Sequence, residues 1–307
     1  MDKYTEETQQ WLDNRFRETS DEGIYFAHQP IYGFRDPNSE RYIMNRYIIT
    51  FQIMKALAHI KFETFLDVGG AEGYKAALVR SLFGAAVRNC DLSQEACERA
   101  KEIYGVDGGS VDIHRLPFDD NQFDVVLCSE TLEHVTDIKT ATYELIRVTK
   151  NALIITVPHE PKEVIEKNIK EKIPHAHIHS LEPTSFNFTK NHVQKIITKK
   201  ILHPILNIPS SIVEANKKEI EKTNYLPLTV KMYNYLIPAF RYLFNEKSAG
   251  FLMKIDDYLS KKNFPYDGMI FILFKDINSY VDKVIKEIRT LDIINFKVPY
   301  VKLQTNM

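Results

Sequence analysis

The stretch "SETLEHV", residues 129–135, gathers side chains that can do chemistry. Glu130, Glu133 and His134 stand at i, i+3 and i+4, which on a helix puts all three on one face. Downstream, "HAHIH" adds His175, His177 and His179, alternating as along an extended strand. Three roles are open to this set. Two carboxylates with imidazoles can hold a divalent metal. His134 can act alone as a general base. Or the Glu and His side chains fix a loop. His159 in "TVPHE" closes an apolar run and is a further pocket-lining candidate; its plainer role is a strand-end polar group in water.

A second constellation surrounds "FLDVGGAEGY", residues 65–74, where an apolar run meets Asp67 and then glycines. A dinucleotide fingerprint would place its three small residues at Gly69, Ala71 and Tyr74, and Tyr74 is too large for the third. Asp67 would also repel a pyrophosphate. A P-loop fails, since no Gly-Lys-Ser/Thr follows. A ligand with a positive end suits Asp67 better. Two more acidic positions follow in order: Asp91 in "RNCDLS", about 20 residues on, where a carboxylate can take both ribose hydroxyls, and Asp112 in "VDIHRLPF". Then comes "DDNQFDVVLCSETLEHV".

In this order the motifs resemble those of the class I S-adenosylmethionine-dependent methyltransferases, including quinone-biosynthesis-like domains, over residues ~40–200. The family's first motif is D-x-G-x-G-x-G; this chain has Asp67, Gly69, Gly70 and Gly73, with Ala71 where Gly is frequent. The resemblance implies S-adenosylmethionine as cofactor, with Gly69, Gly70 and Gly73 against its methionine and ribose. It implies Asp91 and Leu92 at the ribose, Asp112 at the adenine amino group, Ile113 beside the ring, and Ser129 at the end of the fourth strand. On the acceptor side it points to His134, His159 and Glu130. Small-RNA 3′-terminal 2′-O-methyltransferases have a similar E-x-x-E-H with a later His and bind a metal, whereas E-x-L-E-H also occurs in metal-free methyltransferases. No metal ligand is assigned from the sequence.

These residues need a scaffold that delivers them to one edge. From residue 62, apolar runs alternate with helical patterns: strands at 64–68, 85–90, 111–113, 123–128 and 152–157, and helices at 73–83, 93–104 and 137–149. Such alternation predicts an α/β, Rossmann-like, mostly parallel sheet with helices on both faces. Ser93 and Gly105 are the expected caps of the second helix. The resemblance supplies seven strands, with 268–275 antiparallel. Helices are also expected at 5–18, 39–59, 161–172, 189–200, 212–223 and 279–291, with 229–260 mostly helical. The expected units are an N-terminal helical arm and lid (1–60), the cofactor-binding core (61–208), a helical cap insertion (209–265), and a last strand with a C-terminal helix (266–307). Tyr25, His28, Gln29 and Tyr32 lie in the proposed lid, whose alternative is a packing arm.

The 307 residues are 44% hydrophobic and 26% charged with net charge −1, a globular composition without the basic excess of a nucleic-acid binder. Three cysteines are too few for a disulfide framework. The polar start "MDKYTEETQQW" has no signal-like apolar core, and no run reaches the ~20 apolar residues of a membrane span. A cytoplasmic enzyme methylating oxygen or nitrogen of a small, lipid-like or aromatic molecule is expected. The alternatives are a non-catalytic S-adenosylmethionine-binding protein, a metal-dependent RNA or small-molecule O-methyltransferase, and a dinucleotide-dependent oxidoreductase. Membrane-surface contact is disfavoured, and the oligomeric state is left open.

Overall fold

The computed structural model describes residues 3–18, 40–171, 175–203, 246–262 and 264–296. Seven strands form one sheet: β1 (Thr64–Val68), β2 (Ala86–Asp91), β3 (Gly108–Ser110), β4 (Phe123–Ser129), β5 (Thr149–Pro158), β6 (Lys195–Ile201) and β7 (Gly268–Phe274). The spatial order is β3-β2-β1-β4-β5-β7-β6. Pairings from β3 through β5 are parallel, and β7 runs antiparallel to both β5 and β6. The helices are α1 (Lys3–Arg17), α2 (Glu40–Leu57), α3 (Tyr74–Phe83), α4 (Gln94–Tyr104), α5 (Ile138–Val148), α6 (Lys162–Glu171), α7 (Glu246–Leu259) and α8 (Thr290–Ile294).

Strand alternation builds two cores. Phe65, Val125, Leu127, Ala152 and Ile154 face one way, with Ile53, Met54 and Leu57 of α2 and Leu78 of α3. Leu66, Val68, Val126, Cys128, Leu153 and Ile155 face the other way, with Ala141 and Leu145 of α5. The sheet is therefore buried on both faces, which is why these strands read as continuous apolar runs. Ser93 caps α4 by accepting from the Ala96 amide, and Gly105 ends it at φ 60°. From β1 the chain first builds outward through β2 and β3, then returns to β4. The resulting crevice lies at the C-terminal ends of β1 and β4, where open α/β sheets bind ligands.

Three expected elements are corrected. Residues 195–201 are the edge strand β6, not part of a helix over 189–200. Ile196, Ile197 and Thr198 are β-branched and pair with β7, while the lysines blunt the free edge. Residues 279–291 are not one helix: the amides of Val281 and Ile285 donate to the carbonyls of His59 and Ala58, closing off the end of α2, and only Thr290–Ile294 is helical. The third strand is Gly108–Ser110, earlier than the expected 111–113. A Cβ at Gly108 would stand 1.5 Å from the Asn89 carbonyl oxygen, so this close pairing admits only glycine.

The expected lid at 23–34, most of the cap insertion and the helix over 212–223 lie outside the described residues. Among the described residues, no helix is long and apolar enough to cross a membrane.

Candidate active site

A cavity of about 400 Å³ opens at the crevice, between the ends of β1, β2 and β4 and the overlying α1. Its floor is the turn after β1. The amides of Gly69 and Gly70 donate to the Cys90 carbonyl at 2.8 and 3.1 Å. The Ala71 amide donates to Asp91 Oδ2 at 2.9 Å, and Asn89 Nδ2 donates to the Ala71 carbonyl at 2.9 Å. Gly69, Ala71 and Gly73 all have positive φ, at 70°, 49° and 77°. For Ala71 that conformation costs about 1 kcal/mol, held in place by β2.

The expected cofactor residues divide into two groups. Gly69, Asp91, Leu92, Asp112, Ile113 and Ser129 line the cavity. Asp67, Gly70 and Gly73 stand behind its wall. A Cβ at Gly70 would meet Asn89 Oδ1 at 2.0 Å and Asp67 Cγ at 2.6 Å, and one at Gly73 would meet the Ala100 Cβ at 2.9 Å. These two glycines serve packing behind the loop. Gly69 lines the cavity, and a Cβ there would strike Thr131 Oγ1 at 2.3 Å. Asp67 is fully buried behind the turn. Burial pushes its pKa up to about 6, against the attraction of Lys75.

Asp91 is oriented by two amides, Ala71 on Oδ2 and Ser93 on Oδ1. Asp112 takes the His114 amide and ring on Oδ1 at 3.0 and 2.7 Å. Both carboxylates are thus held by local backbone turns and keep lone pairs for a ligand.

On the opposite wall, Glu130 follows β4 with φ 56°, a strained position for a side chain-bearing residue. Thr156 Oγ1 donates to its carboxylate at 2.9 Å. Glu130 stands outside the 3₁₀ turn Leu132–His134, so the shared helical face expected for Glu130, Glu133 and His134 is replaced by a kinked turn. His134 lines the cavity, and its Nδ1 faces the Ala176 carbonyl at 3.1 Å. Only a protonated Nδ1 can serve a carbonyl, so Nε2 carries the free lone pair. Burial, with His175 and His177 alongside, holds the His134 pKa well below the usual range, and the ring is neutral. Glu133 is buried, and among the described residues its Oε2 has no hydrogen-bond partner.

The His-rich segment is brought here by the Ile178 amide, which donates to the Glu133 carbonyl. His177 Nδ1 donates to Glu160 at 2.7 Å, and its ring meets that of His134 edge-on. The ligand atoms of Glu133, His134 and His177 all lie within 4.8 Å of one another. His179 is not in this group; its Nε2 donates to the Val135 carbonyl. His159 lies apart from the cavity, with Nδ1 donating to the Leu181 carbonyl and its ring stacked on Tyr266.

Sequence reasoning missed two contributors. The buried face of α1, with Thr5, Thr8, Leu12 and Phe16, lines the cavity. It is anchored by Asp13 to Ser93, by Arg17 to Glu95 and by Gln9 to the Leu92 carbonyl. The small polar threonines on an apolar face were the available signal. The second is Lys75, in the first turn of α3.

Residues 66–155 match the family model of a methyltransferase domain. Over 123 residues the chain is 28% identical to an O-methyltransferase, resE, of Aspergillus sclerotiorum, covering 38% of this chain and 47% of that protein. The chain thus spans about half the length of the curated relative it matches. Among solved structures, it superposes on phosphoethanolamine N-methyltransferase 2 of Haemonchus contortus in complex with S-adenosyl-L-methionine (TM-score 0.53, 18% identity, 87% of this chain and 59% of that one). It also superposes on geranyl diphosphate C-methyltransferase of Streptomyces coelicolor (TM-score 0.50, 15% identity, 89% and 98%). At these identities the likeness is one of fold.

Proposed function

We propose that this chain, which carries a methyltransferase domain on the class I S-adenosylmethionine-dependent fold, transfers a methyl group from S-adenosylmethionine to oxygen or nitrogen of a small-molecule acceptor. The observation that carries the proposal is the fit of one cavity wall to that cofactor. Gly69 lines the wall without a side chain, Asp91 and Asp112 present oriented carboxylates, and Ile113 offers an apolar flank. The cofactor would supply an already activated methyl group on a sulfonium.

The chain's own work is then to position the acceptor and take its proton. His134 suits the second task. Its Nδ1–H is committed to Ala176, so the ring is fixed and neutral with Nε2 available. Glu133 Oε1 stands 3.8 Å from Nε2. α1 covers the site and limits water access. Calorimetry with S-adenosylhomocysteine tests cofactor binding, and methyl transfer across phenol, catechol, amine and prenyl-alcohol acceptors tests activity. Binding without transfer would favour a non-catalytic cofactor-binding protein. Binding of a nicotinamide dinucleotide in place of S-adenosylhomocysteine would favour an oxidoreductase.

A metal-assisted O-methylation is the second reading, favoured by the cluster of Glu133, His134 and His177. Each imidazole has its Nδ1 occupied, by Ala176 and by Glu160, which leaves both Nε2 atoms for a metal. A divalent ion there would acidify an acceptor hydroxyl, and His134 would be its ligand in place of a base. Metal content by mass spectrometry, with loss of activity in EDTA and in Glu133→Ala, separates the two readings.

A further inference from the structure

Lys75 is the second residue of α3, two residues after Gly73, buried to 7% exposure and lining the cavity. Among the described residues none hydrogen-bonds to it or stands within ion-pair distance of it. A buried ammonium without a partner is costly. The cost is raised by position, since a cation in the first turn opposes the helix dipole, and α3 has no acidic residue there. Burial holds the Lys75 pKa below the usual lysine range, Asp67 and Glu130 work against that by attraction, and Arg46 adds to it by repulsion. Lys75 lines the cavity from the helix that follows β1, and Glu130, which follows β4, lines it too, so both belong to the β1/β4 end.

We propose that Lys75 receives the α-carboxylate of the cofactor's amino-acid end and so sets the position of the sulfonium. The inference rests on the proposed use of S-adenosylmethionine. That molecule is extended and asymmetric: a ribose and adenine at one end, an ammonium and a carboxylate at the other. If Asp91 and Asp112 hold the nucleoside, the amino-acid end reaches the β1/β4 end of the cavity. There the ligand carboxylate meets the Lys75 ammonium. Its ammonium meets a region where Asp67 and Glu130 supply negative potential. Lys75 is thus a positioning residue; it does not touch the transferring methyl group.

The test compares two ligands by calorimetry: S-adenosylhomocysteine, and 5′-methylthioadenosine, which lacks the amino-acid arm. Lys75→Met is expected to weaken S-adenosylhomocysteine about tenfold or more, leave 5′-methylthioadenosine within about twofold, and so report both the loss and an intact fold. Lys75→Arg, which keeps the charge, is expected to retain most of the affinity. As a measurement independent of the variants' folding, wild type should bind decarboxylated S-adenosylhomocysteine about tenfold more weakly than the parent compound. Equal weakening of both ligands in Lys75→Met, no weakening of either, or no preference of wild type for the carboxylate overturns the proposal. Failure of wild type to bind both S-adenosylhomocysteine and 5′-methylthioadenosine instead overturns the cofactor reading on which it rests.

Discussion

Asn89 reaches from β2 to donate its side-chain amide to the carbonyl of Ala71 at 2.9 Å, from a fully buried position behind the glycine turn. Ala71 is held at φ 49° while its own amide is taken by Asp91. One strand therefore grips both sides of a strained peptide whose other face lines the cavity. The loop's shape is imposed from behind, by β2, as much as by its glycines.

Asn89→Ala leaves the Ala71 carbonyl without its partner in a buried place. A loss of about 1–3 kcal/mol is expected, read as a lower denaturation midpoint. Affinity for S-adenosylhomocysteine should fall with it, because Ala71 and Asp91 are both displaced.

Gly108 and Gly109 give a paired prediction. A Cβ at Gly108 would stand 1.5 Å from the Asn89 carbonyl, while one at Gly109 meets nothing within 4 Å. Gly108→Ala should cost about 2–4 kcal/mol by breaking the β2–β3 pairing, and Gly109→Ala under about 1 kcal/mol. Thermal melts of the two variants side by side check this, and similar melts would refute the close approach.

Asp67 provides a pH prediction. Its folded pKa is raised by burial to about 6, above the unfolded value of 3.8. The folded chain then holds a proton that the unfolded chain releases, so stability is full below pH about 4 and declines as pH rises to about 6. Asp67→Asn removes this titration. Relative to wild type, the variant should gain about 2 kcal/mol between pH 4 and pH 7 and then level off. Melting curves of both proteins without cofactor, taken across that range, measure the difference. A constant gap would show that Asp67 stays ionised.

His134→Gln keeps a polar side chain but removes the basic Nε2. Methyl transfer should drop by about 10² or more, while binding of S-adenosylhomocysteine stays within about threefold. Parallel loss of binding and turnover would assign His134 to the architecture of the pocket.

Much of the fold could be read from the chain alone because the information was local. Runs such as "TFLDV" and "ALIITV" announce strands buried on both faces, and Ser93 and Gly105 mark the ends of α4 by side-chain and backbone chemistry within a few residues. Asp67, Asp91 and Asp112 end or follow their strands, so a parallel sheet carries them all to one edge before any contact is known.

Other features belonged to partners distant in sequence. Residues 195–201 have spacing compatible with a helix until β7 offers its backbone, and Val281 and Ile285 give up helical bonds to the end of α2. His177 reaches Glu133 and His134 only because Ile178 pairs with the Glu133 carbonyl, and His159, equally promising as a residue type, is turned toward Leu181 and Tyr266. Lys75 is buried on the cavity wall, a placement that belongs to the packing of α3 and not to its residue type. The sequence by itself determined which segments become strands and which cofactor chemistry their ends suit, since periodicity and turn chemistry are local. Only the tertiary structure decided which histidines meet, which lysine is buried on the cavity wall and which helix roofs the cavity, because those depend on burial and on pairing across the fold.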